Sequence, residues 1–543
     1  MKSLTATGAL VRLALRRDRV KSPVWILAIV AFVAANIPAV IDFYGTTYQK
    51  QLTYAASTST SVISRVFNGP IHGPELGEIV MNETFLFTAI TVAFMSTLSI
   101  VRHTRQNEET GRAELIDSAV VGRYASLTAA LLVTAGADSV LGILVALVYR
   151  ANGLPAASSV AAGVALTATG LVFAGIAAIV AQVSDSARGA NSLSAIVIGI
   201  GFLLRGVGDG VGRIVDGGLG VASAWPSWLS PFGWGQQMYV FSEQRFWVFG
   251  LFAGLFAACT GTAYALNVHR DLGLGMIPAR RGPAHAVRSL LSPLGLAWRL
   301  QRGTLRGWAV GIAVMGVSCG FIADEFKDLL GDNEQVADFF KQLDSDVSFS
   351  DFFFAAIIGL MAVAIGGYVV QALLRMRSEE AAGHLEPVLA TGVSRPRWML
   401  SHVSIALFGT VLLLVIMGAT TGIAYVFVAH VAWSEVLRLT GASLIHVPAA
   451  SVLAGFAVLV FALRPRWAVA VTWSAFAICF LTAEFGQVLK VPQWLMNISP
   501  FSHTPAAPAA DVRFQPLLIL AAIALGLMVA GMMAFRRRDV TTA

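Results

Sequence analysis

The residues of this chain best placed to do chemistry come as a repeated set. The segment RQNEETGRAELIDSAVVGR carries Arg105, Glu108, Gly111, Glu114, Val121 and Arg123. With the same internal spacing, 272 residues later, RSEEAAGHLEPVLATGVSR carries Arg377, Glu380, Gly383, Glu386, Val393 and Arg395. Carboxylates separated by a glycine, just after a long apolar stretch, suit ionic contact rather than bond breaking: Glu108 and Glu114, like Glu380 and Glu386, can meet basic groups on a soluble partner. Gly111 and Gly383 supply the backbone freedom needed where a membrane helix breaks into a short surface helix. Arg123 and Arg395 would hold the returning helix at the level of the lipid phosphates. The alternative is a solvated loop whose charges only set topology; duplication of one acid-glycine-acid pattern favours contact.

Other chemistry is sparse. Asp138 sits near the middle of an apolar segment, and Glu83 and Glu484 near the ends of others. A charge at mid-membrane is costly and by default a functional suspect, so Asp138 is a candidate for a substrate or proton role, against the simpler reading of a buried acid bonded to neighbouring hydroxyls. No GxxxxGK[ST] phosphate loop occurs, so the chain holds no ATP site of its own. No metal spacing and no GxSxG nucleophile turn occur either. Cys259, Cys319 and Cys479 lie far apart and imply neither disulfides nor zinc.

The elements that must position these residues are membrane helices. Of 543 residues 56% are apolar and 13% charged, far below the roughly 25% charged usage of soluble domains. Twelve spans are expected, near 23–41, 83–101, 125–148, 156–182, 190–206, 246–267, 306–323, 352–374, 399–429, 440–463, 467–484 and 515–535; helices satisfy their own backbone in lipid. With a cytoplasmic N-terminus, 27 of the 38 Lys and Arg residues and 11 of the 31 acids fall inside, as the positive-inside rule requires. The basic excess therefore expresses topology and not nucleic-acid binding, and both termini are expected in the cytoplasm.

The repeat extends beyond the elbows. Leu13, Ala14, Arg16, Arg19 and Trp25 are echoed 283 residues later by Leu296, Ala297, Arg299, Arg302 and Trp308. PSWLSPF (226–232) is echoed by PQWLMNISPF (492–501), and Arg270–Asp271 by Arg538–Asp539. The expected organisation is a first six-span half (1–270), a proline-bearing cytoplasmic linker (271–293) and a second six-span half (294–543). The lead-ins 4–20 and 290–302 read as amphipathic helices in the headgroup layer, with arginines facing phosphates or a partner, or equally as positive-inside anchors without a partner. The tryptophan-rich stretch 225–234 suits a re-entrant or interfacial segment, or an aromatic-belt anchor.

The ExxGxxE…VxR elbow, the SPF before each sixth span and the terminal RRD resemble permeases of ABC type-2 exporters. Two fused six-span halves most resemble the actinobacterial branch of polyketide-antibiotic, tetronasin-type drug exporters. The resemblance covers nearly the whole chain. It implies an all-α polytopic membrane protein of two repeated six-helix halves, each with an N-terminal amphipathic interfacial helix and a cytoplasmic coupling helix. It implies a bacterial plasma-membrane location and two copies of a separately encoded ATPase, which would hold ATP and Mg, seated on Glu108, Gly111, Glu114 and Arg123 and on Glu380, Gly383, Glu386 and Arg395. It also implies a central path between second and fifth spans, where Phe85, Phe87, Phe94 and Phe202, with Phe352, Phe353, Phe354, Phe476 and Phe480, would suit a hydrophobic or amphiphilic small molecule or simply pack against lipid and helices. The first elbow departs from the pattern at Ser118-Ala119-Val120 and Gly122, where the second has Ala-Thr-Gly and Ser394, which implies unequal contacts. An ion-coupled secondary transporter with a 6+6 repeat is the alternative, and needs more buried ionisable residues than these spans contain. A membrane-embedded lipid-processing enzyme would need a polar catalytic cluster, and none is present.

Overall fold

The computed structural model describes residues 3–271, 273–276, 284–331, 348–485 and 492–539. Among them, eleven helices are long and apolar enough to cross a membrane, and the only strands are two of three residues each. The chain is an all-α polytopic membrane protein. Its contacts divide it into two units, Met1–Gly282 and Pro283–Ala543, a division that falls within the 271–293 segment, of which 272 and 277–283 lie outside the described residues.

The first unit begins with α1 (Thr7–Asp18), then α2 (Lys21–Tyr44), α3 (Tyr48–Thr60) and α4 (Val62–Phe67). The second span, α5 (Leu76–His103), breaks at Thr104 into the elbow helices α6 (Arg105–Glu109) and α7 (Arg112–Asp117). The chain returns as α8 (Ala125–Ala151), α9 (Ala156–Val183) and α10 (Ala187–Gly210), then an antiparallel hairpin of β1 (Arg213–Val215) and β2 (Gly220–Ala222). A buried short helix, α11 (Pro231–Gln237), precedes α12 (Phe249–Val268). The core lies between α2, α5, α8, α9 and α12 and includes Val33, Ile37, Phe85, Val92, Leu141 and Phe173.

The tryptophan-rich stretch is mostly interior. Phe232 is fully buried with its ring 4.9 Å from that of Phe173, and the Trp234 indole N–H donates to the Trp228 carbonyl at 2.6 Å. Trp225 alone among the three tryptophans is largely exposed, at 74%, so α11 is a short helix packed into the bundle, with belt-like anchoring left to Trp225.

The second unit runs α13 (Pro293–Gly331), α14 (Phe349–Leu373), the elbow helices α15 (Arg375–Ala381) and α16 (Leu385–Ala390), then α17 (Arg395–Ala429), α18 (Ser434–Leu444), α19 (Val447–Leu463), α20 (Ala468–Phe485), α21 (Gln493–Met496) and α22 (Phe514–Arg537). Its core gathers Tyr368, Met376, Trp398, Leu413, Phe461 and Phe535.

The eleventh expected span, 467–484, is the helix α20, Ala468–Phe485, and the residues that follow, 486–491, lie outside those described. The two lead-ins diverge. In the first unit α1 is a separate helix, because Pro23 has no N–H for the carbonyl of Arg19 and its ring crowds that carbonyl. At the matching position of the repeat stands Arg306, and the lead-in of the second unit continues unbroken into its span as α13.

Candidate functional site

Each elbow forms because the span ends in polar residues that cannot stay in lipid. After α6 the chain turns at Gly111, φ +69°, and after α15 at Gly383, φ +73°, a left-handed conformation that disfavours any side chain. Each glycine divides the elbow into a half facing its own unit and a half facing out.

The inward half is a latch. In the first unit Glu108 accepts from the Arg270 guanidinium at 2.5 and 2.8 Å and from the Gly273 N–H at 3.3 Å. Arg105, fully buried, pairs with the same carboxylate and donates to the carbonyls of Ser184 and Leu274. In the second unit Glu380 accepts from Arg538, which also donates to the Phe461 carbonyl at 2.7 Å and lies 5.0 Å over the rings of Phe461 and Phe535. The returning arginines act alike. Arg123 donates to the Val268 carbonyl at the end of α12, and Arg395 to the carbonyls of Arg536 and Arg538 at 3.3 and 2.6 Å at the end of α22. The last carbonyls of a helix have no partner within it, and cations there also favour its dipole. Thus in both units the elbow acid and the elbow arginine together grip the C-terminal end of the last span.

The outward half is exposed. Glu114 on α7 and Glu386 on α16 both face away from their units. Beside Glu114, Leu115 is 76% and Val120 69% exposed; beside Glu386 stand the exposed Pro387, Ala390, Thr391 and Gly392. The first elbow offers apolar side chains where the second offers small ones.

The lead-in helix α1 is tied to the first elbow. Arg17 donates to Asn107 at 2.7 Å, and Asp18 lies 3.0 Å from Arg102 and 2.5 Å from His103. Burial works to raise the Asp18 carboxyl, but its hydrogen bond with His103 and the charges of His103, Arg102 and Arg17 outweigh it and hold the group below the usual carboxylate range. The N–H groups of Gly122 and Tyr124 donate to the carbonyls of Thr5 and Ser3, both at 3.0 Å. A Cβ at Gly122 would come within 2.4 Å of the Ser3 carbonyl oxygen, which explains a glycine here where the second elbow carries Ser394. A polar cleft of about 270 Å³ lies behind this elbow, lined by His103, Asn107, Glu108, Arg123, Gln182 and Arg270.

Within each unit the phenylalanines stand in different settings. Phe85 is core, with Phe94 and Phe202 packed against the same cluster, whereas Phe87 is 49% exposed. Phe354 is buried against Tyr425 and Phe353, Phe352 is partly exposed at 37%, and Phe476 and Phe480 stand side by side on α20 with ring centroids 6.4 Å apart. Glu83 is engaged by Tyr54 at 2.5 Å, while the side chain of Glu484 lies outside those described. Asp138 is fully buried. The pairing of elbow acids with Arg270 and Arg538 escapes a reading of the sequence, although both arginines close matching repeats. So does the buried Arg205–Asp209 pair, 3.3 Å apart, whose four-residue spacing on α10 is the signal that could have found it.

The fold defines a polytopic membrane protein with a matched charged elbow in each unit. Residues 290–536 match the family described as "Multidrug efflux system permease Rv1217c, C-terminal domain". Over 537 residues the chain is 37% identical to the multidrug efflux system permease protein Rv1217c of Mycobacterium tuberculosis (strain ATCC 25618 / H37Rv), covering 99% of this chain and 95% of that one. This chain belongs to that family of efflux permeases.

Proposed function

We propose that this chain is the membrane subunit of an ATP-driven ABC exporter that moves hydrophobic or amphiphilic compounds, of the drug or polyketide-antibiotic kind, out of the cell. ATP and Mg are held by two copies of a separate ATPase, one on each elbow. Both termini and both elbows face the cytoplasm of a bacterial plasma membrane. The relative's name, a multidrug efflux permease, supports the cargo class.

The observation that carries the reading is the division of labour within each elbow. An exposed acid-bearing helix, α7 or α16, is joined through one glycine to an acid locked onto the end of the last span. Force applied to the exposed helix by a soluble partner is thereby passed to a membrane helix rather than absorbed by a loose loop. Exposed Leu115 and Val120, at the end of the bundle where charges cluster, add apolar contact of the kind found at interface cores.

The test is the double variant Glu114→Ala/Glu386→Ala. Both side chains are exposed, so membrane levels should be normal, while export falls to background and basal ATP hydrolysis by the complex persists. Wild-type export at normal membrane levels would refute the coupling role.

A further inference from the structure

Asp138 lies midway along α8 and is wholly buried. The Ser96 hydroxyl of α5 donates to its Oδ1 at 2.8 Å. Its Oδ2 has no hydrogen-bond partner and sits against Gly170 of α9, where a Cβ would come within 2.7 Å. Beside its carboxyl stand Ser96 and Val92 from α5 and Gly170 from α9, while the Thr167 hydroxyl of α9 donates to the Asp138 main-chain carbonyl at 3.2 Å; none of these is ionisable. Of the other helices packed against α8, α1 and α2 bring Asp18 and Lys21 to its elbow end, where Arg102 of α5 also lies. Tyr264 of α12 meets only the first turn, at Thr128.

Between α2, α5 and α8 runs a cleft of about 60 Å³, with room for a few waters. Asp18, Lys21 and Arg102 line its elbow end. Deeper in, toward the middle of the span, it is lined by Ser99 and the buried Ser96 and Thr134, together with Met95, Leu98 and Ala137. Ser99 and Thr134 share a hydrogen bond at 2.7 Å. The single hydroxyl proton of Ser96 has two acceptors at 2.8 Å, the Val92 carbonyl and Asp138 Oδ1. Rotation between them is the movement a proton relay requires.

We infer that Asp138 is a proton-binding site in exchange with water at the elbow end of the first unit, reached through Ser96 and this cleft. In loading, a hydronium in the cleft gives a proton to the Ser96 oxygen as Ser96 passes its own hydroxyl proton to Asp138. One proton moves from water to carboxylate, the serine is restored, and no other bond changes; release is the reverse. Intramembrane acids in such settings serve proton relays. The site belongs to the first unit alone, because the repeat places Thr410 and Tyr368 at the positions of Asp138 and Ser96, and the Thr410 hydroxyl is spent on the Ala406 carbonyl at 2.9 Å.

The inference is tested on the purified full chain in lipid nanodiscs by pH-difference infrared spectroscopy. A carboxylic-acid C=O band should titrate with bulk pH, shift in D2O, and be lost in Asp138→Asn, while the bands of the buried Glu78 and Asp209 remain. Ser96→Ala should slow the deuterium shift of that band without removing it. If Asp138→Asn does not fold, Asp138→Glu should move the band instead. A difference spectrum unchanged in the Asp138 variants, or a band that neither titrates nor exchanges, would overturn the proposal. Its consequence for transport rests on the efflux reading: the pH profile of export should flatten in Asp138→Asn. An intact titrating band in a chain that exports nothing would count against that reading and leave the proton site standing.

Discussion

Glu108 and Glu114 stand six residues apart on one elbow, yet the fold uses them in opposite ways. Glu108 is enclosed by Arg105 and Arg270, and Glu114 is exposed. The same split separates Glu380 from Glu386. Removing the enclosed Glu380 strands the partly buried Arg538, so Glu380→Ala and Arg538→Ala should each lower stability, and a double-mutant cycle in thermal or denaturant unfolding should return a coupling of about 1–3 kcal/mol. Glu114→Ala and Glu386→Ala should change stability by no more than about 0.5 kcal/mol and act on export alone. The acid-glycine-acid spacing was legible in the sequence because it repeats. Which acid turns inward was not, since the partners Arg270 and Arg538 lie 162 and 158 residues away and no local pattern joins them.

At the scale of elements, the membrane spans were readable from their apolar length, while their joints depended on single residues. Pro23 separates α1 from α2, and Arg306 lets α13 run through. Arg306→Pro should therefore cost about 3 kcal/mol or more, seen as a lower unfolding temperature of the purified chain. The separated α1 is held by Asp18, whose carboxyl lies below its usual range. A carboxyl depressed on folding stabilises above its unfolded value and ceases to do so as pH falls through the depressed one. A spin label at the exposed Leu15 should accordingly stay immobile at neutral pH and loosen only at acid pH below the ordinary carboxylate range, with the loosening of α1 tracking the Asp18–His103–Arg102–Arg17 group. Asp18→Asn should loosen it at neutral pH, losing charge-assisted bonds of about 1.5–3 kcal/mol. Gly122→Ala should do the same from the other side, by pushing Ser3 away.

For the whole molecule, the duplicated elbows set an expected stoichiometry and orientation. The purified chain should hydrolyse no ATP by itself and should copurify with two ATPase subunits; hydrolysis by the chain alone, or a stable complex with one copy, would contradict this. Single cysteines at 110 and 382, in a background without Cys259, Cys319 and Cys479, should resist impermeant thiol reagents in intact cells, and labelling from outside would overturn the orientation. The repeat itself was legible in the sequence, at offsets of 272 residues for the elbows and 283 for the lead-ins. Their unequal elbows were legible only as sequence differences, whose meaning came from what packs on Gly122.

The latches also impose an order on synthesis. Glu108 finds its arginine once residue 270 has left the ribosome, so the first elbow can close while the second half is still being made. Glu380 must wait for Arg538, and until then its carboxylate and the end of α19 are without their cation. Nascent chains arrested between 400 and 530 should therefore expose the second elbow, and not the first, to quality-control proteases, and a stop codon just before 538 should leave a chain that carries both elbows yet is cleared as though unfinished.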